Sequence, residues 1–240
     1  MSNPLAPGST GIDVMAWQRI IGSTADGLFG PLTERATRIW QGAHGLAMTG
    51  RVGDLEWACE AAKAEPSEHL RALSKGEKVA AFGYFQFRAA PTATDPEAIT
   101  ITDSWARNNV VSVHLQQLRG IVGAPDSCRI QWHKRATSQL LDLWLAWEAA
   151  GLLPLVKTWA GSWCPRFVRG SRTNLSSHAW ATAFDINAGW NPRGHAPAGI
   201  GSRGSVRELV PLAERHGFAW GGYWDVPDGM HFEVSRLEAE

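Results

Sequence analysis

From Val14 onward, apolar residues fall at helical spacing: Val14, Trp17, Ile20 and Ile21 form one stripe, and Gly22 stops it. Asp26-Gly27 then marks a tight turn, and Pro31 stands where a first helical residue tolerates a missing N–H. The pattern predicts a second helix through Ala36, Ile39 and Trp40, ending near Gly45. A third, short helix follows, with Asp54 as N-cap and Leu55 and Ala58 on its length. Three such helices with an apolar interior make a small bundle over residues 1–64. Residues 65–77 are rich in Glu, Lys, Ser and Ala and read as a linker with a helical turn around Leu70.

The pattern changes in residues 78–240. Short apolar clusters at Ala81–Phe85, Ile99–Thr102 and Val110–Val113 predict strands. A long helix is predicted next, with Trp132, Ala136, Leu140, Leu143, Trp144 and Trp147 on one face, His133 among its polar residues and Gly151 just past its end. Ser205-Val206-Arg207-Glu208 has the form of a capping box and predicts a helix through Leu209, Val210, Leu212 and Ala213 to His216. Strands and helices mix without strict alternation, so the fold class is α+β.

Composition narrows the partners. Among 240 residues, Lys+Arg and Asp+Glu are 23 each, and neither the first 75 residues nor the rest is strongly basic. That argues against nucleic acid, whose phosphates draw on clustered Lys and Arg. No apolar run approaches the roughly 18 residues of a membrane span, so no membrane partner is expected. Cys59, Cys128 and Cys164 are odd in number and far apart, which excludes a thiolate zinc knuckle and argues against a disulfide framework. The first residues, Met-Ser-Asn-Pro-Leu-Ala-Pro-Gly, carry neither a basic segment nor an apolar stretch. The expectation is a chain made in a cytoplasm without a secretory signal and kept reduced there. The 13 tryptophans suit either a core or a groove that holds a polymer with apolar and amide surfaces.

Candidate chemistry lies in two segments. If Thr182–Asn187 is a strand, Ala183, Asp185 and Asn187 share one face while Phe184 and Ile186 point to the core. A carboxylate on that face is costly to bury unpaired, and His178 can fold back beside it from a loop. In the second segment, Pro227-Asp228-Gly229 is a turn, after which His231 and Glu233 face one way and Phe232 and Val234 the other. Two imidazoles and one carboxylate make an open three-ligand zinc set, with water in the fourth position. A carboxylate near that water would serve as base. Asp228 is the candidate, provided the turn brings it to the side of His231, and Glu233 is the next one. His133, His195 and His216 read as structural.

Two resemblances sharpen this reading. Gly11–Val14, Trp17-Gln18, Asp26-Gly27, Phe29-Gly30-Pro31, Thr33, Ala36, Trp40-Gln41, Gly45-Leu46, Thr49-Gly50, Val52-Gly53 and Trp57 follow an order that resembles the peptidoglycan-binding domain of many cell-wall hydrolases. Further on, S-x-H-x-x-x-x-A-x-D at Ser176–Asp185 and D-x-x-H-F-E at Asp228–Glu233 resemble the zinc peptidase family of D-alanyl-D-alanine carboxypeptidases and L-alanyl-D-glutamate endopeptidases. That likeness runs from about Arg129 to Val234 and takes in Pro165–Ser171 and Trp220-Gly221-Gly222.

The second resemblance implies a domain with a central antiparallel sheet and one zinc ion held by His178, Asp185 and His231. Asp228 would be the general base, and Ser176 would support the first ligand or the substrate. Arg166, with Arg169 close behind, would steady the substrate carbonyl. Trp180 and Trp224 flank the motifs and would line the groove or pack in the core. One position departs from the family: Ala181 stands where Gly is usual, which adds strain if the backbone there has a positive φ.

A wall-anchoring module joined to such a peptidase implies a monomeric phage endolysin that acts on peptidoglycan after release from the host cytoplasm. Its implied bond is L-alanyl–D-glutamate, because lysis requires cutting cross-linked material. The alternatives are a D-alanyl-D-alanine carboxypeptidase and a non-catalytic wall-binding protein that retains a zinc site.

Overall fold

The computed structural model describes residues 4–61 and 69–238. Helices α1 (Ile12–Ile20), α2 (Pro31–Ala43) and α3 (Asp54–Ala61) enclose a separate small core of Leu5, Val14, Trp17, Phe29, Trp40 and Val52. Two Trp-Gln pairs build this bundle in the same way. Trp17 and Trp40 enter the core, and the glutamine beside each clamps the next turn. Gln18 accepts from Gly27 N–H (2.9 Å) and donates to the Leu28 carbonyl (3.0 Å). Gln41 accepts from Gly50 N–H (2.8 Å) and donates to the Arg51 carbonyl (2.7 Å). Buried turn amides need such partners, since none lies in a regular ladder.

The expected linker lies partly outside the described residues. Residues 69–74 are not helical, so there is no helical turn at Leu70. Helix α4 (Lys75–Phe82) follows, opened by a complete capping box between Ser74 and Glu77 and closed by Gly83 at φ 88°. The expected strand at Ala81–Phe85 is therefore the end of a helix and a turn. The capping box decides this, because it satisfies the first orphan amides at both ends of the box.

Strands β1 (Phe87–Ala89) and β2 (Ile99–Ile101) form a hairpin, then come α5 (Trp105–Asn109), β3 (Val110–His114) and β4 (Arg129–His133). β3 and β4 are antiparallel, with Val110 opposite His133 and Val111 opposite Trp132. Trp132 and His133 thus belong to a strand, and the long helix, α6 (Thr137–Ala149), starts later than its apolar stripe suggested. Ile130 and Trp132 are buried while Arg129 and Gln131 are exposed, a period of two. The four-residue step from Trp132 to Ala136 fits a helix equally well, so periodicity alone could not separate them.

The remaining elements are β5 (Trp159–Gly161), β6 (Ala183–Ile186), α7 (Val210–Arg215), β7 (Phe218–Trp220) and β8 (His231–Val234). They give a four-stranded antiparallel sheet in the order β5-β6-β8-β7. Phe184, Phe218 and Phe232 cover one face and pack with Trp132, Trp144 and Trp147 into the main core. The predicted helix from Ser205 is a short 3-10 turn, Arg207–Leu209, running into α7. α7 also meets α2, where a Cβ on Gly42 would come within 2.5 Å of Leu212. Among the described residues, no helix is long and apolar enough to cross a membrane, and Cys59, Cys128 and Cys164 are free thiols.

Candidate metal centre

β6 and β8 lie side by side with Asp185 directly opposite His231. Residues opposite each other on neighbouring strands share a face and approach to about 4.5–5.5 Å. Register alone therefore puts the carboxylate against the imidazole. His178 arrives from a 3-10 turn, Ser177–Trp180, before β6. Ser176 caps this turn by accepting from His178 N–H at 3.4 Å. Ala181 then reverses the chain in the left-handed region (φ 56°, ψ 42°), the conformation that glycine adopts at no steric cost.

His231 Nδ1 lies 2.9 Å from Asp185 Oδ1, His178 Nε2 lies 3.2 Å from Asp185 Oδ2, and the two ring nitrogens are 3.2 Å apart. Each ring uses its other nitrogen elsewhere. His178 Nδ1–H donates to the Ser162 carbonyl, and His231 Nε2–H donates to Glu233 Oε2 at 3.0 Å. In neutral rings those bonds fix the tautomers, so His178 Nε2 and His231 Nδ1 are both acceptors. Three acceptors then converge in a buried space, with ligand atoms within 4.8 Å of one another. Such a set repels itself unless a positive charge sits among it. Two imidazoles oriented through their far nitrogens, plus one carboxylate, fit a divalent cation such as zinc.

The electrostatics carry the same message. Burial disfavours a charged His231, but the hydrogen bonds it makes to Asp185 and Glu233 outweigh it and raise its pKa to about 10. Burial likewise opposes ionisation of Asp185, yet His178 and His231 hold it well below the usual carboxylate range. Glu233 is lowered to about 2, with burial outweighed by His231, Lys78 and Ser177. The pocket is built to hold positive charge.

Asp228 lines the same cavity as His178, His231, Ser176, Arg166 and Trp224. The turn does bring it round: Asp228 N–H donates to the Gly221 carbonyl (2.8 Å), and His231 N–H donates to the Asp228 carbonyl (3.1 Å). Burial raises its pKa. Arg193 Nε stands 3.5 Å from Asp228 Oδ2. Arg166 borders the cavity, whereas Arg169, also on its wall, is engaged by Asp95 (2.6 Å) and Glu97 (2.7 Å).

Trp224 lies against the site, 5.4 Å from the His231 ring centre to centre. Trp180 does not line the groove. Its indole N–H donates to the Gly83 carbonyl (3.0 Å) and its ring packs on Phe85 inside the core. His133, His195 and His216 stand outside the cluster. Ser162, Lys78 and Arg193 were not singled out by sequence; a main-chain acceptor leaves no signature, and the other two are cations among many. Glu233, weighed as a second base, instead supports His231 from the same strand face.

Part of this site lies in a segment that matches a known family. Residues 169–234 match the family model described as D-alanyl-D-alanine carboxypeptidase. The matched span holds His178, Asp185, His231 and Asp228, and leaves Arg166 and Lys78 outside. Residues 16–59 match a second family model, described as a putative peptidoglycan binding domain. Together the two matches point to a peptidase that acts on the cell wall. No curated protein matches the chain.

Proposed function

We propose that the chain is a zinc-dependent peptidoglycan hydrolase that cuts the stem peptide, with residues 1–64 as wall anchor and 78–240 as catalytic domain. One observation carries the reading: two imidazole acceptors converge with Asp185, and both imidazoles line one cavity with Asp228. His178 Nε2, Asp185 and His231 Nδ1 would hold the cation. When bound, it supplies Lewis-acid polarisation and makes a water acidic near neutral pH.

The chain's own residues do the rest. Asp228, whose pKa burial raises, accepts the proton of the attacking water and passes it to the departing amine. Arg166 faces the oxygen of the scissile carbonyl as it gains charge. Ser176 keeps His178 in place by capping its turn, and Trp224 forms an apolar wall for the substrate. Ser162 and Glu233 fix the ring orientations, so no reorganisation is needed when substrate arrives.

The bond we assign is L-alanyl–D-glutamate. A module that tethers the enzyme to polymeric wall suits a cut that opens cross-linked material, as an endolysin released from a host cytoplasm would make. The matched family's description favours a second reading, removal of the terminal D-alanine. Digestion of purified peptidoglycan with and without chelator, followed by mass spectrometry, tests both. A new D-glutamyl amine that vanishes with chelator supports the first bond, and free D-alanine supports the second. No chelator-sensitive product from zinc-loaded protein overturns the hydrolase reading in favour of a non-catalytic wall-binding protein.

A further inference from the structure

Glu233 is 2% exposed and lies opposite Ala183 across the β6–β8 pair. Its Oε2 receives the His231 Nε2–H and the Ser177 hydroxyl. Its Oε1 faces Lys78 Nζ at 3.5 Å, with only 11% of the lysine side chain exposed. A carboxylate so deeply buried needs a counter-charge, since removing one partner of a buried pair leaves the other uncompensated.

The lysine comes from far away in sequence, on the first turn of α4 and outside the span that matches the peptidase family. The start of α4 is tied down at several points. Ser74 and Glu77 close the capping box, Arg71 pairs with Glu77 at 2.6 Å, and the Ser235 hydroxyl donates to the Arg71 carbonyl. Ser235 is the residue after β8, so the strand that carries His231 and Glu233 is itself fastened to the segment that presents Lys78.

We propose that Lys78 is a positioning residue of the metal centre, aiming Glu233 at His231 Nε2 so that Nδ1 stays turned toward Asp185 and His178. The inference rests on the metal-centre reading above. Without the ammonium, Glu233 Oε1 loses its charge partner, the carboxylate is free to turn about its own axis, and the His231 ring loses its fixed orientation. The effect travels through one named contact and needs no touch between Lys78 and substrate.

The test is zinc affinity, measured on the full chain by competition with a chromophoric chelator. Lys78→Met should bind zinc about 10–100-fold more weakly, the usual cost of losing an outer-shell partner, and Lys78→Arg should recover most of that loss. In a Glu233→Gln background, Lys78→Met should weaken zinc binding no further, because the contact it acts through is already gone. That double variant also removes both buried charges, so it serves where Lys78→Met alone does not fold. Unchanged affinity in folded Lys78→Met, or losses that add in the double variant, overturns the role of Lys78 while leaving the metal centre standing. A wild-type chain that takes up no zinc overturns both.

Discussion

His178 Nε2 and His231 Nδ1 face each other at 3.2 Å, and each ring donates its other N–H to a fixed acceptor, the Ser162 carbonyl or Glu233. Two lone pairs so close, with the Asp185 carboxylate beside them, are stable together only around a cation or a shared proton. The arrangement makes metal binding and folding stability one linked property.

It follows that zinc should raise the melting temperature of the wild-type chain and do nothing for His178→Ala. Free zinc at a hundred times its dissociation constant contributes about 2.7 kcal/mol. Elemental analysis should give one zinc per wild-type chain and none in the variant. A variant that keeps stoichiometric zinc would remove His178 from the ligand set.

Asp228→Ala should separate chemistry from metal binding. The hydrogen bond that ties Asp228 to the ligand strand, from His231 N–H to the Asp228 carbonyl, is a backbone bond that alanine retains. The variant is expected to bind zinc as wild type does and to lose on the order of 10²–10⁴ in rate on purified wall. Full activity would shift attention to another base.

Ala181 offers a test of backbone strain near the site. A left-handed alanine costs roughly 1–2 kcal/mol. Glycine there gives back about 0.4–1 kcal/mol through the unfolded chain and about 0.8 kcal/mol through the lost buried methyl. These effects nearly cancel, so Ala181→Gly should change stability by less than ~1 kcal/mol. Ala181→Val, β-branched and in the same conformation, should cost more than ~2 kcal/mol. Urea denaturation of both variants decides it, and equal effects would mean that the turn can relax.

His133 should give the protein a pH dependence of its own. Burial pushes its pKa from 6.5 down to about 4, helped by Arg135 and Lys134. An unfolded histidine takes up its proton at the higher value. The contribution of His133 is therefore full above pH 6.5 and is lost as pH drops toward 4, to the extent of about 3 kcal/mol. Glu233, lowered to about 2, contributes only below its ordinary value of 4.5, so the two windows barely overlap. His133→Gln should flatten the stability profile between pH 6.5 and 4, and parallel profiles would refute the assignment.

Much of this molecule is legible residue by residue. The apolar stripe of Val14 and Trp17, Asp26-Gly27 and Pro31 mark the helical bundle, because helix spacing, turns and helix starts depend on residues close in sequence. The donors His178, Asp185 and His231 and the acid Asp228 also stand out, since alternation along a strand assigns Asp185 and His231 to definite faces. Less legible were Trp132 and His133, whose strand period coincides with a helical step, and Ala81–Phe82, where a cap overrode an apolar run.

What the sequence by itself determined, then, was the helical bundle, several of the strands, the candidate chemistry, and the strand faces on which Asp185 and His231 stand. Only the tertiary structure decided that Asp185 meets His231 across 46 positions, that Trp180 turns inward, and that Glu233 and Lys78 stand behind the His178, Asp185 and His231 cluster. The physical reason is that a strand's period fixes a face but not its neighbour. Register between β6 and β8 comes from the packing of Phe184 and Phe232 into a shared core, and a slip of one residue would have sent His231 to the opposite face.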